Sequence, residues 1–294
     1  MAGMPDASTI SPRRPVGVFD SGVGGLTVLH ELLVHLPHED FLYLGDTARF
    51  PYGQREPGEL QRFSLQIARE LLARDAKLMV VACNAATSAA LGALREQLAA
   101  WAPEVDVLAV VEPESRLAAA HTPTGRVGLL ATPATVASGA YDRALGAHAP
   151  KATLTKVACP DLAPIIQGGF PFDQRVVETV RGYCRPLVAA RVDTVILGCT
   201  HYPLVAPMLR RMLGPRVRLV TSGRALAGEV ERVLVEHSLA HPRGGEGDYR
   251  FLCTGDVEAF VEVGTRFLQM PLGEVEHIDL PDWDVTVGSR EAAA

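Results

Sequence analysis

Residues 80–87, VVACNAAT, and residues 195–203, VILGCTHYP, share one pattern. In each, a β-branched run supplies a buried strand, a cysteine sits on the turn, and small or polar residues lead into the next helix. Strand, turn and helix in that order are the repeating unit of an α/β fold. A thiol on such a turn, Cys83 or Cys199, faces backbone N–H groups and the positive end of a helix dipole, which can lower its pKa from about 8.5 into a range of about 3.5 to 7.5. A free cysteine taken alone is more often a small buried hydrophobe. Two poised thiols from distant parts of one chain point instead to a two-base proton-transfer site.

Outward from these two units the same alternation runs through most of the chain. Short apolar strands are expected at about 15–19, 40–44, 76–82, 106–111, 125–130, 152–157, 193–198, 216–220 and 249–253, with helical segments between most of them. The pattern implies α/β layers around largely parallel sheets, whose ligands bind beyond the carboxyl ends of the strands. Every polar motif of the chain falls at such an end, so the motifs are expected to converge. The two strand–cysteine–helix units also look like related positions in two similar domains. Residues 241–248, HPRGGEGD, read as a surface loop before a last strand and helix.

Composition narrows the function. With 294 residues, 48% of them hydrophobic and 21% charged, the chain is long enough for two compact domains and is not expected to be disordered. The first dozen residues lack the basic start and apolar core of a signal peptide. The most apolar region, 77–94, is interrupted by Asn84, Thr87 and Ser88 and parses as strand, turn and helix rather than as a membrane span. Five cysteines without paired spacing point to a reducing cytoplasm. No CxxC occurs and the nine histidines are scattered, so no metal is implied. A net charge of −6 argues against general nucleic-acid affinity and gives no long-range attraction for an acidic substrate. Any substrate carboxylate must be held by local N–H groups and hydroxyls.

Two further motifs carry polar groups, and the Cys199 unit carries more. VFDSGVGGLTVL, residues 18–29, places Asp20 and Ser21 before a glycine-rich helix entry that lets backbone N–H groups approach an anion. It lacks the Lys-Ser/Thr ending of a phosphate loop, and Asp20 reads equally well as a helix N-cap. YLGDTARFPYGQR, residues 43–55, makes a tight turn at Pro51, Tyr52 and Gly53, either ordinary loop chemistry or a backbone clamp on a small ligand; Asp46 and Arg49 are placed to pair with each other. After Cys199, Pro203 suits the first turn of a helix, which gathers the thiol, the Thr200 hydroxyl and the His201 imidazole at its N-terminus. A Cys-His hydrolase is a competing reading, but it leaves Cys83 idle.

Together, FDSGVGGLTVL, YLGDTARFPYG, VVACNAAT and LGCTHYPL resemble, in order and spacing, the glutamate racemase family, cofactor-independent enzymes that supply D-glutamate for bacterial peptidoglycan. The resemblance covers roughly residues 15–280. It implies two similar α/β domains with the active site in the cleft between them: residues 15–108 with 222–280 carrying Asp20 and Cys83, and an inserted domain of residues 109–221 carrying Cys199 and His201. Residues 1–14 and 281–294 are expected as flexible tails. By the same resemblance Cys83 takes the α-proton from D-glutamate and Cys199 from L-glutamate, each acting as acid in the other direction. Asp20 then assists Cys83 and His201 assists Cys199. Ser21, Pro51, Tyr52, Gly53, Asn84, Ala85 and Thr200 are expected around the substrate together with Asp20 and His201, and Thr132 and Thr135 of LLATPATVAS join them. No cofactor or metal, a glutamate substrate, no nucleic-acid or membrane partner, a homodimer and a cytoplasmic location complete the implied picture.

The chain departs from the family's pattern at Ala85, where threonine is usual, at Gln167, where a glutamate is usual, and at Ala131 in place of a common glycine. An aspartate or other amino-acid racemase of the same superfamily is the nearest alternative. A catalytically impaired amino-acid-binding protein is the other.

Overall fold

The computed structural model describes residues 10–169 and 173–280. The tail expected at 281–294, and residues 1–9 of the one expected at 1–14, lie outside the described residues. The first half of the chain runs β1 (Val16–Asp20), α1 (Leu26–His35), β2 (Phe41–Gly45), α2 (Pro57–Ala73), β3 (Leu78–Val81), α3 (Asn84–Trp101), β4 (Asp106–Ala109), α4 (Val111–His121), β5 (Arg126–Ala131), α5 (Pro133–Ala137) and α6 (Ala140–His148). The second half runs β6 (Thr153–Ala158), α7 (Leu162–Gln167), α8 (Gln174–Ala189), β7 (Thr194–Gly198), α9 (Ala206–Leu213), β8 (Arg218–Val220), α10 (Gly223–Glu236), β9 (Tyr249–Cys253), α11 (Val257–Leu268) and β10 (Val275–His277).

The strands form a six-stranded sheet in the order β10-β9-β2-β1-β3-β4 and a four-stranded sheet in the order β6-β5-β7-β8. All their pairings are parallel. Within the larger sheet β2-β1-β3-β4 has the same topology as β6-β5-β7-β8, so the relation between the two cysteine units is a topological repeat. Cys83 follows the third strand of one copy and Cys199 the third strand of the other.

Both faces of the central strands β1, β2, β3, β5 and β7 are covered, which is why their sequences read as nearly continuous apolar runs. In the larger sheet Val16, Val18, Tyr43, Leu78 and Val80 face one core, and Phe19, Leu42, Leu44, Met79 and Val81 face another under α2 and α3. The first of these cores continues into the smaller sheet through Leu130, Val195 and Leu197. One apolar body therefore backs both sheets.

Three sequence expectations change. Val110 and Val111 do not extend β4 but open α4. A tenth strand, Val275–His277, lies beyond the helix expected to end the fold; it is three half-exposed or exposed residues long, too short to show an alternation of two. After Cys199 the chain makes a 3-10 turn, Tyr202–Val205, before α9 begins at Ala206. Pro203 and Pro207 both lack an N–H, so a single α-helix cannot run through them.

At the amino ends of the strands, Lys77 is fully buried, with Nζ 2.6 Å from Glu39 Oε2 and 2.6 Å from the Pro12 carbonyl. The other Glu39 oxygen accepts the His241 N–H at 2.6 Å, so the pair ties the segment before β1, the α1–β2 connection and the 241–248 loop together. Burial lowers the Lys77 pKa, and Glu39 opposes that shift. Removing one partner strands a charge in the core, which typically costs about 3–5 kcal/mol. Urea unfolding should therefore show Lys77→Met destabilised by about that amount, and the double variant Lys77→Met/Glu39→Gln less so, because no unpaired ion remains.

Candidate active site

The carboxyl ends of β1, β3, β5 and β7 meet around one cavity. Register sets the levels: Phe19 pairs with Val81 and Ala131 with Gly198, so the residues that follow, Asp20 with Ala82 and Cys83, and Thr132 with Cys199, emerge side by side. Ser21, Pro51, Tyr52, Gly53, Cys83, Asn84, Ala85, Thr132, Cys199, Thr200 and His201 all line it. Asp20 and Thr135 stand one layer behind: Asp20 lies against Cys83, and the Thr135 hydroxyl is 3.0 Å from that of Thr132. The sequence reading missed Phe50, Gln54, Pro133, Pro160, Ala163, Pro164 and Gly198, which also line the cavity. All but Gln54 are apolar or small residues whose type carries no chemical signal.

Glycines bring the walls this close. A Cβ on Gly24 would sit 2.4 Å from His201 Nδ1 and 2.4 Å from Thr200 Oγ1. One on Gly53 would sit 2.6 Å from Thr132 Cβ. The Thr27 hydroxyl donates to the Thr200 carbonyl at 2.9 Å, fastening α1 of the larger sheet to the end of β7. Asp46 pairs with Arg49 at 2.7 Å and accepts the Tyr52 hydroxyl, so Tyr52 offers the cavity its backbone rather than its OH. The N–H groups of Tyr52 and Gly53 open a 3-10 turn and have no acceptor within it.

Cys83 is the N-cap of α3, its sulfur 3.4 Å from the Ala86 N–H. The expected lowering of its pKa is overturned: burial pushes the thiol up to about 12, the neighbouring Asp20 adds to the rise, and the Ala86 and Ser21 contacts oppose it. Asp20 is itself raised by burial, against hydrogen bonds from the Gly25 N–H at 2.9 Å and from Cys83. Cys199 is raised well above the ordinary thiol value, again by burial, with the His201 N–H opposing. The helix-end N–H groups are present on the Cys83 side, but desolvation outweighs them.

His201 is 1% exposed and lies between Phe50 and Phe267, with ring centroids 5.5 and 5.1 Å away. Burial lowers its pKa to about 3, so the imidazole is neutral. Its Nε2 is 2.9 Å from Gln167 Oε1, an acceptor, which places the ring hydrogen on Nε2 and the lone pair on Nδ1. Nδ1 stands 3.8 Å from Cys199 Sγ. The sulfur and nitrogen are thus arranged to pass a proton between them. Gln167, singled out in the sequence as a departure, is in direct contact with the imidazole.

The cavity measures about 30 Å³, about the room of one water. That is well below the roughly 300–1,000 Å³ of a typical ligand pocket. The site is water-poor and lined by two neutral thiols, each with a proton acceptor beside it. Such a constellation is suited to a class of protein that moves protons on and off a weak carbon acid with little solvent in the way.

Comparison with known proteins agrees. The Asp/Glu/hydantoin racemase family matches residues 29–230. A glutamate racemase of Geobacter metallireducens is 41% identical over 269 residues, 92% of this chain and 98% of that protein. The structure of a Thermus thermophilus glutamate racemase in complex with β-chloro-D-alanine superposes with a TM-score of 0.79 at 40% identity, covering 92% of this chain and 98% of that one. A Francisella tularensis glutamate racemase in complex with D-glutamate gives a TM-score of 0.85 at 30% identity, over 92% and 100% of the two chains. The chain belongs to the Asp/Glu/hydantoin racemase family.

A carboxylate at position 167 would stabilise the imidazolium that Gln167 cannot. In Gln167→Glu the His201 pKa should rise from about 3 toward the ordinary histidine value, read from the pH titration of the His201 ring protons by NMR.

Proposed function

We propose that this chain interconverts L- and D-glutamate without a cofactor, using Cys83 and Cys199 as the two bases. The observation that carries the reading is the pair of thiols at equivalent strand ends of the two sheets, both lining one cavity. In the D-to-L direction the Cys83 thiolate removes the α-proton, and the Cys199 thiol delivers a proton to the opposite face of Cα. Cys83 ends as the thiol and Cys199 as the thiolate, so protons balance; the reverse reaction exchanges their roles. Because burial keeps both thiols neutral, the working thiolate forms only as substrate binds, Asp20 taking the proton from Cys83 or His201 Nδ1 taking it from Cys199.

Ser21, Thr132 and Thr200 supply hydroxyls to the substrate, and Tyr52 and Gly53 supply N–H groups, a set suited to two carboxylates in a chain of net charge −6. Fixed dipoles in a closed cavity stabilise the carbanion-like transition state, adding to the roughly 10² to 10⁴ that positioned acids and bases contribute.

The reading extends to the whole molecule. Residues 15–108 with 222–280 form one domain and 109–221 the other, supported by the division of the strands between two sheets and by the packing of α10 on α1. Their separation admits substrate. A homodimer, implied by the family resemblance, is part of the same proposal. All five cysteines are free and buried, which suits the cytoplasm, where the product would feed peptidoglycan precursor synthesis.

Replacing either Cys83 or Cys199 by serine should abolish interconversion in both directions, because inversion needs both faces served. Circular dichroism and α-proton exchange in deuterated water, followed together with L-glutamate, test this; a single variant with near-normal racemisation refutes the assignment.

Ala85 lines the cavity in the first turn of α3 without a hydroxyl, and the Thr87 hydroxyl is committed to the Cys83 carbonyl at 2.8 Å. A hydroxyl donated to a carboxylate is worth about 1.5–3 kcal/mol. Ala85→Thr should therefore lower the KM for glutamate by at least about tenfold and leave that for aspartate less changed, as measured by steady-state kinetics with both amino acids.

A further inference from the structure

Behind Cys83 lies a polar cluster that none of the roles above uses. Glu114, in the first turn of α4, is 1% exposed. Its Oε2 accepts the Tyr141 hydroxyl and lies 3.1 Å from Asn84 Nδ2, while Asn84 Nδ2 is also 2.7 Å from the Tyr141 oxygen. The Ser222 hydroxyl and N–H also lie against the carboxyl and oppose the rise in its pKa. A buried carboxyl costs stability unless hydrogen bonds compensate, and here they come from Tyr141, Asn84 and Ser222.

Its location gives the cluster a purpose. The chain leaves the six-stranded sheet after Ala109 and enters α4, and it returns after Val220 through Thr221 and Ser222 into α10. Glu114 stands where these two crossings meet. From there it reaches Tyr141 on α6 of the smaller sheet and Asn84 on α3 of the larger one. Asn84 directly follows Cys83 and lines the cavity.

We propose that Glu114 is a positioning residue, which with Tyr141 turns the Asn84 amide so that Nδ2 is held behind the cavity and Oδ1 is presented to the substrate. The inference rests on the racemase reading above and adds an orientation to it. Tyr141 commits its hydroxyl proton to Glu114 Oε2, so the Tyr141 oxygen and Glu114 Oε2 both turn lone pairs to one end of the amide, where the NH₂ group meets them. The end left for the ligand is an acceptor. An amino acid carries one kind of donor, its α-ammonium, so Asn84 takes the ammonium and leaves the carboxylates to the hydroxyls and N–H groups.

Glu114→Ala should raise the KM for glutamate by about tenfold or more with kcat changed far less, and Glu114→Gln, which keeps an acceptor at the same place, should restore most of the loss. In an Asn84→Ala background Glu114→Ala should add nothing further to KM, because the group it acts through is gone. Tyr141→Phe, which removes a single oxygen, serves as the milder variant if Glu114→Ala does not fold. It should raise KM in the native background and not in Asn84→Ala. A KM effect of the same size in both backgrounds, or equal losses of kcat and KM-independent stability alone, overturns the proposal.

The second readout is independent of turnover. The side-chain amide protons of Asn84, identified by ¹⁵N NMR through their loss in Asn84→Ala, should exchange slowly in the wild type and in Glu114→Gln and quickly in Glu114→Ala. Fast exchange in the wild type refutes the orientation. Failure of the wild type to racemise glutamate refutes the function and leaves this result standing.

Discussion

The site depends on the contact between the β1–α1 turn and the end of β7. Gly24 meets Thr200 and His201 with nothing but a hydrogen, and any side chain there would drive the imidazole out of place. Asp20 leads the same turn and lies against Cys83, and Cys199 precedes Thr200, so this one approach brings the surroundings of the two thiols together. The Thr27 hydroxyl then locks the spacing with a hydrogen bond to the Thr200 carbonyl. The glycines of residues 22–25 thus act through packing. Their role is to let two sheets touch at their carboxyl ends, where loops elsewhere would keep them apart.

Tight approach has an electrostatic result. Removing water raises Asp20, Cys83 and Cys199 and lowers His201, so every group with a proton to move rests in, or shifts toward, its neutral form. Charge is unwelcome in this cavity until a charged substrate brings its own. The same desolvation strengthens each contact to that substrate once it is enclosed. Glu114 follows the rule on the far side of Asn84, its pKa pushed up to about 8 by burial against the donors around it. In the proposed reaction no standing thiolate is stored, and reactivity waits on the bound substrate.

How much of this was legible in the sequence follows from which forces are local. Strand, turn and helix alternate with periods a sequence displays, so Lys77–Leu94 resolved correctly into β3, the cysteine turn and α3. The family motifs brought the thiols, the glycine turn and the Pro51–Gly53 turn to one cavity. What failed was long-range. A local rule makes an N-terminal thiol acidic, yet burial, which depends on walls supplied by other elements, reversed the sign for Cys83 and Cys199. The acid on α4 gave no motif either. Glu114 stands thirty positions from Asn84 and twenty-seven from Tyr141, separations at which only the fold decides contact. The end of β4 and the break before α9 were misjudged because valines suit strands and helices alike when buried and because two prolines, four apart, divide a helix that the apolar pattern alone allows.

The topological repeat gives the two thiols equivalent addresses, but their companions differ: a carboxyl stands by one and an imidazole by the other. For the proposed reaction this inequality is bounded by symmetry. Mirror-image amino acids have the same free energy in water, so their equilibrium constant is unity and kcat/KM must be equal in the two directions, whatever assists each base. Asp20 and His201 can differ only in ways that shift kcat and KM together, or in which form of the free enzyme predominates between turnovers. An enzyme so built can favour one enantiomer in its resting grip, while its net direction in the cell is decided by whatever consumes the product.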